Sequence, residues 1–350
     1  MNIKSVVRLS GVDKNKVFSF IESWKKVVDL PCEQIKFNEI DETTLELELF
    51  YGLDIFDHSV TQFVTVLFGE LSFITIFGKI RFVDLELPKE VYEWFSGPKF
   101  GVEEIKEKFG LSEYPMLVAI VKPSLGKQLT LEQLQVKIEQ VLGNGFHAIK
   151  DDEMQGDLKY APQEKRIDFA RKYYKYIPTL NYDTLEKYKK TLTGKDAEKI
   201  GMVLINASTI GFQMLHEISK ISQVPILSHN ALQGVYNNSF SPKVFAILHR
   251  LFGCDAYISP IGEAGYYNVT KGEEKEMVKE FTKKLPIKQT LPILTGGARL
   301  HNLQEIILPY EKTQVPYGLA FGSLIFASEK NPAQMAKLTL EKIKEIKKIV

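Results

Sequence analysis

The sequence predicts an α/β chain: a C-terminal (β/α)8 barrel behind a smaller N-terminal α+β domain. Beyond residue 115, eight short apolar runs recur about 23 to 36 residues apart, each closing on a polar or Gly-rich tip and each followed by an amphipathic stretch. Before residue 97 the order is instead strand, helix, strands, helix, strand, which fits a ferredoxin-like sandwich. Ser96-Gly97-Pro98 punctuates the two patterns and sets the expected domains at 1–97 and 98–350.

In the first domain, Ser5 to Leu9 reads as a strand. Lys14 to Val28 places Val17, Phe18, Ile21, Trp24, Val27 and Val28 at helical spacing. Thr43 to Tyr51 alternates as a strand, and Val60 to Leu67 is apolar at i, i+3, i+4 and i+7, hence a helix. Lys79 to Leu87 alternates again until Pro88 closes it, and Glu90 to Phe95 forms the last helix. The barrel runs are Met116–Lys122, Ala148–Glu153, Ile177–Asn181, Met202–Asn206, Val224–His229, Ala256–Ser259, Pro292–Gly297 and Tyr317–Gly322. An open doubly wound sheet would give the same alternation with fewer strands and a glycine fingerprint after the first. Here the first run ends Lys122-Pro123-Ser124-Leu125-Gly126, which is no dinucleotide loop.

Composition narrows the function classes. The chain has 350 residues, 44% hydrophobic and 25% charged, with formal net charge +1. No general field draws it to nucleic acid or to an anionic membrane. Two cysteines, Cys32 and Cys254, build no disulfide framework. Met1 to Ser10 lacks a signal-peptide core and no apolar run approaches 20 residues, so a cytoplasmic location is expected.

The chemistry concentrates in Ala148-Ile149-Lys150-Asp151-Asp152-Glu153. Alternation sends Lys150 and Asp152 to one side of a strand and Asp151 to the other, with Glu153 just past the end. Two carboxylates and a lysine that CO2 would convert to an anionic carbamate form a hard oxygen set suited to Mg2+. The competing reading is a solvated charge cluster at a strand-to-helix turn. In a closed barrel, however, every tip faces one mouth, which brings Lys122, Lys150, Asp152, Glu153, Asn181, Asn206, His229, Ser259, Thr295 and a final Gly-rich turn to one place.

Gly97-Pro98-Lys99-Phe100-Gly101, Lys122-Pro123-Ser124-Leu125-Gly126, Ile149 to Glu153, Ser228-His229-Asn230-Ala231, Thr295-Gly296-Gly297 and Phe321-Gly322-Ser323 together resemble RuBisCO and the RuBisCO-like proteins, in the same order and at similar spacing. The resemblance implies a homodimer whose N-terminal domain covers the partner's barrel mouth. It implies Lys150 as a carbamylated Mg2+ ligand beside Asp152 and Glu153. Lys122 matches the first-strand lysine next to the reacting carbonyl, and His229 a histidine near the substrate. Thr295, Gly296 and Gly297 resemble one phosphate turn, and Gly322 and Ser323 a reduced second one. Lys99 and Asn181 complete the expected substrate contacts.

The departures direct the activity. Pro260 to Tyr267 carries no sixth-loop lysine of the carboxylating enzymes, and the next lysine is Lys271. Carboxylation is therefore not expected. Gly97 to Gly101, His229-Asn230-Ala231 with Gly234, and Asp255 with Pro260 are most similar to the branch acting as 2,3-diketo-5-methylthiopentyl-1-phosphate enolase in methionine salvage. That implies removal of a proton alpha to the ketone of a phosphorylated substrate, with Lys122 as the first candidate base and Glu70, reaching in from a partner subunit, as the second. The alternatives are decarboxylation of a phosphorylated 3-oxo sugar acid, or a catalytically quiet relative in a regulatory role.

Overall fold

The computed structural model describes residues 2–27, 31–121, 130–264 and 267–349; Lys122 lies outside them, as do the side chains of Lys26, Val27 and Glu70. The N-terminal sheet comprises β1 (Asn2–Ser10), β2 (Gln34–Glu39), β3 (Thr44–Gly52) and β4 (Lys79–Glu86) in the order β2-β3-β1-β4. All its pairings are antiparallel. Helix α1 (Lys14–Val27) and the short α2 (Val60–Val64) are its connections, which is the ferredoxin-like order. The helix expected over Val60 to Leu67 is regular only to Val64, where a π-helical turn over Thr65–Gly69 takes over. One face of β1 and β3 buries Ile3, Val7, Leu9, Leu45, Leu47 and Leu49, as the alternation of these strands requires.

After α3 (Val91–Trp94) and α4 (Gly101–Phe109) the chain enters the barrel. Its strands and helices are β5 (Met116–Ile120), α5 (Leu131–Leu142), β6 (Ala148–Lys150), α6 (Gln163–Lys172), β7 (Tyr176–Ile177), α7 (Leu185–Leu192) and β8 (Val203–Ile205). There follow α8 (Ala207–Ile210), α9 (Phe212–Ile221), β9 (Ile226–Ser228), α10 (Gln233–Tyr236), α11 (Pro242–Leu251) and β10 (Ala256–Pro260). The last are α12 (Lys271–Thr282), β11 (Leu291–Thr295), α13 (Leu303–Thr313), β12 (Gly318–Phe321), α14 (Ser323–Phe326) and α15 (Pro332–Lys347). The eight strands pair in the order β7-β6-β5-β12-β11-β10-β9-β8. A parallel bridge between Thr179 and Leu204 joins the two ends of that order, so the cylinder closes. Each of the eight apolar runs read from the sequence contributes one strand.

The barrel interior is filled from alternate positions. Met116, Val118 and Ile120 of β5 meet Leu204, Leu227, Ile258 and Ile293, while Leu117 and Ala119 face the helices. Val102, Ile105 and Phe109 of α4 join the same cluster and plug the end where the strands begin. Asp255, immediately before β10, holds that plug. Its Oδ1 accepts the N–H groups of Phe100 (2.7 Å) and Gly101 (3.0 Å), and its Oδ2 that of Ile226 (2.8 Å). A carboxylate from a distant strand thus serves the helix start that α4 cannot cap from its own side chains. Burial pushes this carboxyl up to about 6, against the three N–H donors, leaving it ionised at neutral pH.

The N-terminal sheet is bonded to the barrel through its edge strand. Phe82 of β4 donates its N–H to Ser239 O (2.7 Å) and accepts from Ser241 N (2.8 Å). Arg81–Glu273 and Lys243–Asp84 ion pairs, each at 2.7 Å, flank that junction. Among the described residues no helix is long and apolar enough to cross a membrane.

Replacing Asp255 by Asn sets an amide N–H against one of three backbone N–H donors. Asp255→Asn is expected to lose roughly 1–3 kcal/mol of stability at pH 7, read as a lower urea midpoint at unchanged m-value.

Candidate functional site at the barrel mouth

Strand β6 ends at Lys150, and the side chains part there as alternation predicts. Lys150 is fully buried on the interior side, while Asp151 turns outward and pairs with Arg166 of α6. Lys150 Nζ donates to Asp151 O at 2.9 Å and lies 3.4 Å from Glu153 Oε2. The same Glu153 oxygen is 3.4 Å from His229 Nε2, at the tip of β9. Lysine, glutamate and histidine from the second and fifth barrel strands therefore meet at one carboxylate. Asp152 is fully buried beside them. Its Oδ1 accepts from Met154 N (3.0 Å), and its carbonyl accepts the Thr179 hydroxyl (2.8 Å).

Two asparagines fix the turn from the neighbouring strand tips. Asn181 Nδ2 donates to the carbonyls of Glu153 (3.0 Å) and Gln155 (2.7 Å). Asn206 Nδ2 donates to Glu153 O and to Asn181 Oδ1, both at 2.8 Å. The tips of β6, the run after β7, and the run after β8 are thus linked through a single backbone carbonyl. The phenol of Tyr176, fully buried beneath and beside Asp151, is pushed well above its ordinary value by burial and stays protonated.

The glycine turn after β11 has a different neighbour. Gly296 and Gly297 have φ of +87° and +101°, a region that disfavours side chains. A Cβ on Gly296 would run into the Tyr267 ring, and one on Gly297 into Ala264. The sixth loop is therefore packed onto this turn. Thr295 is buried, and its hydroxyl donates to Ala320 O (3.1 Å) within the barrel wall. Gly322 starts the short α14, its carbonyl accepting from Ile325 and Phe326 N–H at 3.1 Å each, and Ser323 is exposed.

Lys99 does not join these residues. Its Nζ donates to Ser222 O (2.7 Å) and Lys220 O (3.4 Å) at the carboxyl end of α9. Its neighbours Phe100 and Gly101 are bonded to Asp255 at the strand-start end of the barrel. The expected substrate contact is corrected accordingly: Lys99 serves the last carbonyls of a helix, a favourable place for a cation. Lys122 falls outside the described residues, and of Glu70 only the backbone, in a 3-10 turn over Glu70–Phe73, is described.

Sequence reasoning missed Thr179, Tyr267 and Arg166. Thr179 sits two residues before Asn181 and could have been found from the strand register. Tyr267 had no signal beyond membership of the sixth loop. Arg166 lay among the charges of Gln163–Lys172, which reads as a solvated helix.

Among the described residues no three histidine, cysteine, aspartate or glutamate side chains form a cage for a metal ion. Asp152 and Glu153 supply hard oxygen donors, and Lys150, buried against Glu153, is placed to supply a third anionic oxygen once its amine has taken up CO2. In that state the donor set suits a divalent oxophilic cation.

No family model matches the sequence. Curated relatives are named 2,3-diketo-5-methylthiopentyl-1-phosphate enolase. That of Bacillus licheniformis is 28% identical over 309 residues, covering 79% of this chain and 74% of the relative. That of Exiguobacterium sibiricum is 27% identical over 307 residues, covering 77% and 74%. That of Geobacillus kaustophilus is 30% identical over 235 residues, covering 61% and 55%. In fold, a RuBisCO-like protein from Alicyclobacillus acidocaldarius superposes with a TM-score of 0.82 at 22% identity, covering 100% of this chain and 95% of the other. An archaeal RuBisCO gives 0.86 at 18% identity, covering 100% and 92%. The resemblance read from the sequence motifs and the fold class read from their spacing are both borne out.

Gly296→Ala is expected to cost more than about 1 kcal/mol through the positive φ alone. The Tyr267→Ala background should recover the part due to the ring, leaving the conformational part. A double-mutant cycle in urea measures both, with a coupling above about 0.5 kcal/mol expected for residues in contact.

Proposed function

From its kinship in sequence and fold with RuBisCO-like proteins, we propose that this chain is an enolase that removes a proton alpha to the ketone of a phosphorylated substrate. The substrate is 2,3-diketo-5-methylthiopentyl-1-phosphate, the compound in its relatives' name. The observation that carries the reading is the meeting of Lys150, Glu153 and His229 at the barrel mouth, with Asp152 beside them. Lys150, as its carbamate, Asp152 and Glu153 would hold Mg2+. That cation supplies Lewis-acid stabilisation of the oxygen on which negative charge develops.

The chain's own residues do the rest. Carbamylation joins the Lys150 nitrogen to the carbon of CO2; the ammonium releases one proton to become the amine and a second as the carbamate forms, so a buried cation is replaced by an anion and Glu153 is freed from its lysine contact. Asn181 and Asn206 hold the Glu153 backbone, so its carboxylate swings about a fixed pivot. His229 stands within reach of the same oxygen and can donate to a substrate oxygen nearby. The Gly296–Gly297 turn, free of side chains, offers backbone N–H groups to the phosphate, with Gly322 and Ser323 as the second contact. The base takes the C–H proton while that electron pair moves onto the carbonyl oxygen. Lys122 is the proposed base, with Glu70 of the partner subunit as the alternative, which makes a homodimer part of the proposal.

A carboxylase is disfavoured by the position of the first lysine after the sixth strand. Lys271 Nζ is bonded to both oxygens of the buried Glu274 at 2.9 and 3.0 Å, and Glu274 also takes the Gly262 N–H and the Tyr310 hydroxyl. A lysine so committed anchors the loop base and is unavailable to a CO2-derived carboxylate.

Enolisation in D2O tests the reading. The wild-type protein, with bicarbonate and Mg2+, should wash deuterium into the carbon alpha to the ketone. Lys150→Ala, or chelation of Mg2+, should lower that rate at least about 100-fold, the loss expected when an electrostatic stabiliser of the developing oxyanion is removed. Exchange at the wild-type rate without Mg2+ would refute the proposal, and stoichiometric CO2 release from a 3-oxo acid would replace it with a decarboxylase. Lys122→Ala separates the two bases: it should abolish exchange if Lys122 takes the proton and spare it if Glu70 does.

A further inference from the structure

The turn that carries Asp152 and Glu153 has no regular secondary structure between β6 and α6. Besides Asn181, Asn206 and Thr179, one other side chain, itself buried, braces it. Arg166, 2% exposed, spreads its guanidinium over four acceptors from three parts of the chain. Nη1 reaches the Asp151 carboxylate and Thr179 O (3.4 Å), Nη2 reaches Gly156 O (2.8 Å), and Nε reaches Ala161 O (3.2 Å). Asp151 in turn accepts the backbone N–H of Asp152 through its other oxygen (3.1 Å), and Thr179 returns a hydroxyl bond to Asp152 O.

We propose that Arg166 is a positioning residue: by pinning Asp151 outward and bracing the carbonyls of the following loop, it sets the direction in which Lys150, Asp152 and Glu153 face a divalent cation. Strand alternation makes the link rigid. Asp151 lies between Lys150 and Asp152, so any rotation that releases it moves both neighbours off the interior face. The planar guanidinium suits this task because its donors diverge in fixed directions, which an ammonium cannot copy.

A buried ion pair kept only for stability is the competing account. Burying two charges costs several kcal/mol of hydration, which the attraction between them does not reliably exceed, so such a pair is weak grounds for a stabilising role. The three carbonyl contacts beyond Asp151 are what distinguish positioning from simple charge compensation. Outer partners of metal ligands typically change metal affinity about 10- to 100-fold when altered.

The inference rests on the proposed cation site, and the test separates the two. Mg2+ binding is measured by titration calorimetry in bicarbonate on the wild type, on Arg166→Lys and on the double variant Asp151→Asn/Arg166→Gln. Amide hydrogen exchange of residues 152–161 is followed without metal. Arg166→Lys keeps the charge opposite Asp151 and loses the fork. The double variant removes both charges and so leaves none buried and unpaired if the lysine variant does not fold. Both are expected to bind Mg2+ about 10- to 100-fold more weakly and to exchange faster in 152–161, with Lys150 still accepting CO2. Binding within twofold of wild type in a folded variant overturns the positioning role while leaving the cation site intact. A wild type that takes up no Mg2+ overturns the cation site and this proposal with it.

Discussion

A lysine buried at a strand end among carboxylates is the constraint on which the rest of the site depends. Hydration lost by Lys150, Asp152 and Glu153 must be replaced by directed contacts, or the turn would open to solvent. The backbone carbonyls of the turn are committed to that replacement. The carbonyls of Asp151, Asp152 and Glu153 accept from Lys150, Thr179, Asn181 and Asn206, and the outward Asp151 is matched by Arg166. The barrel makes this affordable because parallel strands with both faces covered deliver their ends to one rim at fixed spacing. What remains adjustable is the charge on Lys150 itself, which is the property the proposed chemistry would use.

The two ends of the barrel divide the labour. At the strand-start end, α4 plugs the interior and Asp255 holds its first N–H groups, while Lys99 closes the carboxyl end of α9. At the other end the sixth loop is fastened by the Lys271–Glu274–Tyr310 cluster and laid against Gly296 and Gly297. A loop held in that way favours a substrate enclosed by packing over one gripped by a mobile lysine, in line with enolisation without carboxylation.

Much of this was legible in the sequence because buried parallel strands are written as continuous apolar runs, and the residues that end them are conspicuous. The eight tips gave the barrel, and alternation alone separated Asp151 from Lys150 and Asp152. Strand β2 is illegible for the opposite reason: Gln34–Glu39 is an edge strand with almost all its residues exposed, so no apolar period marks it. The helix from Val60 is shorter than its apolar spacing predicts, because that spacing persists through the π-helical turn over Thr65–Gly69. The position of Lys99 is not legible, because a motif carries order along the chain and says nothing of which end of a barrel its linker passes. Arg166 was invisible, since a charge on an amphipathic helix reads as solvated until its buried partner on another element is known.

The most direct test is the chemical state of Lys150 in the folded protein. Incubation with 13C-bicarbonate and Mg2+, followed by 13C NMR, should give one carbamate carbon resonance in the wild type that disappears in Lys150→Ala and decays on acidification. A wild-type spectrum without that resonance, under conditions where the protein is folded and Mg2+ is present, would contradict the account.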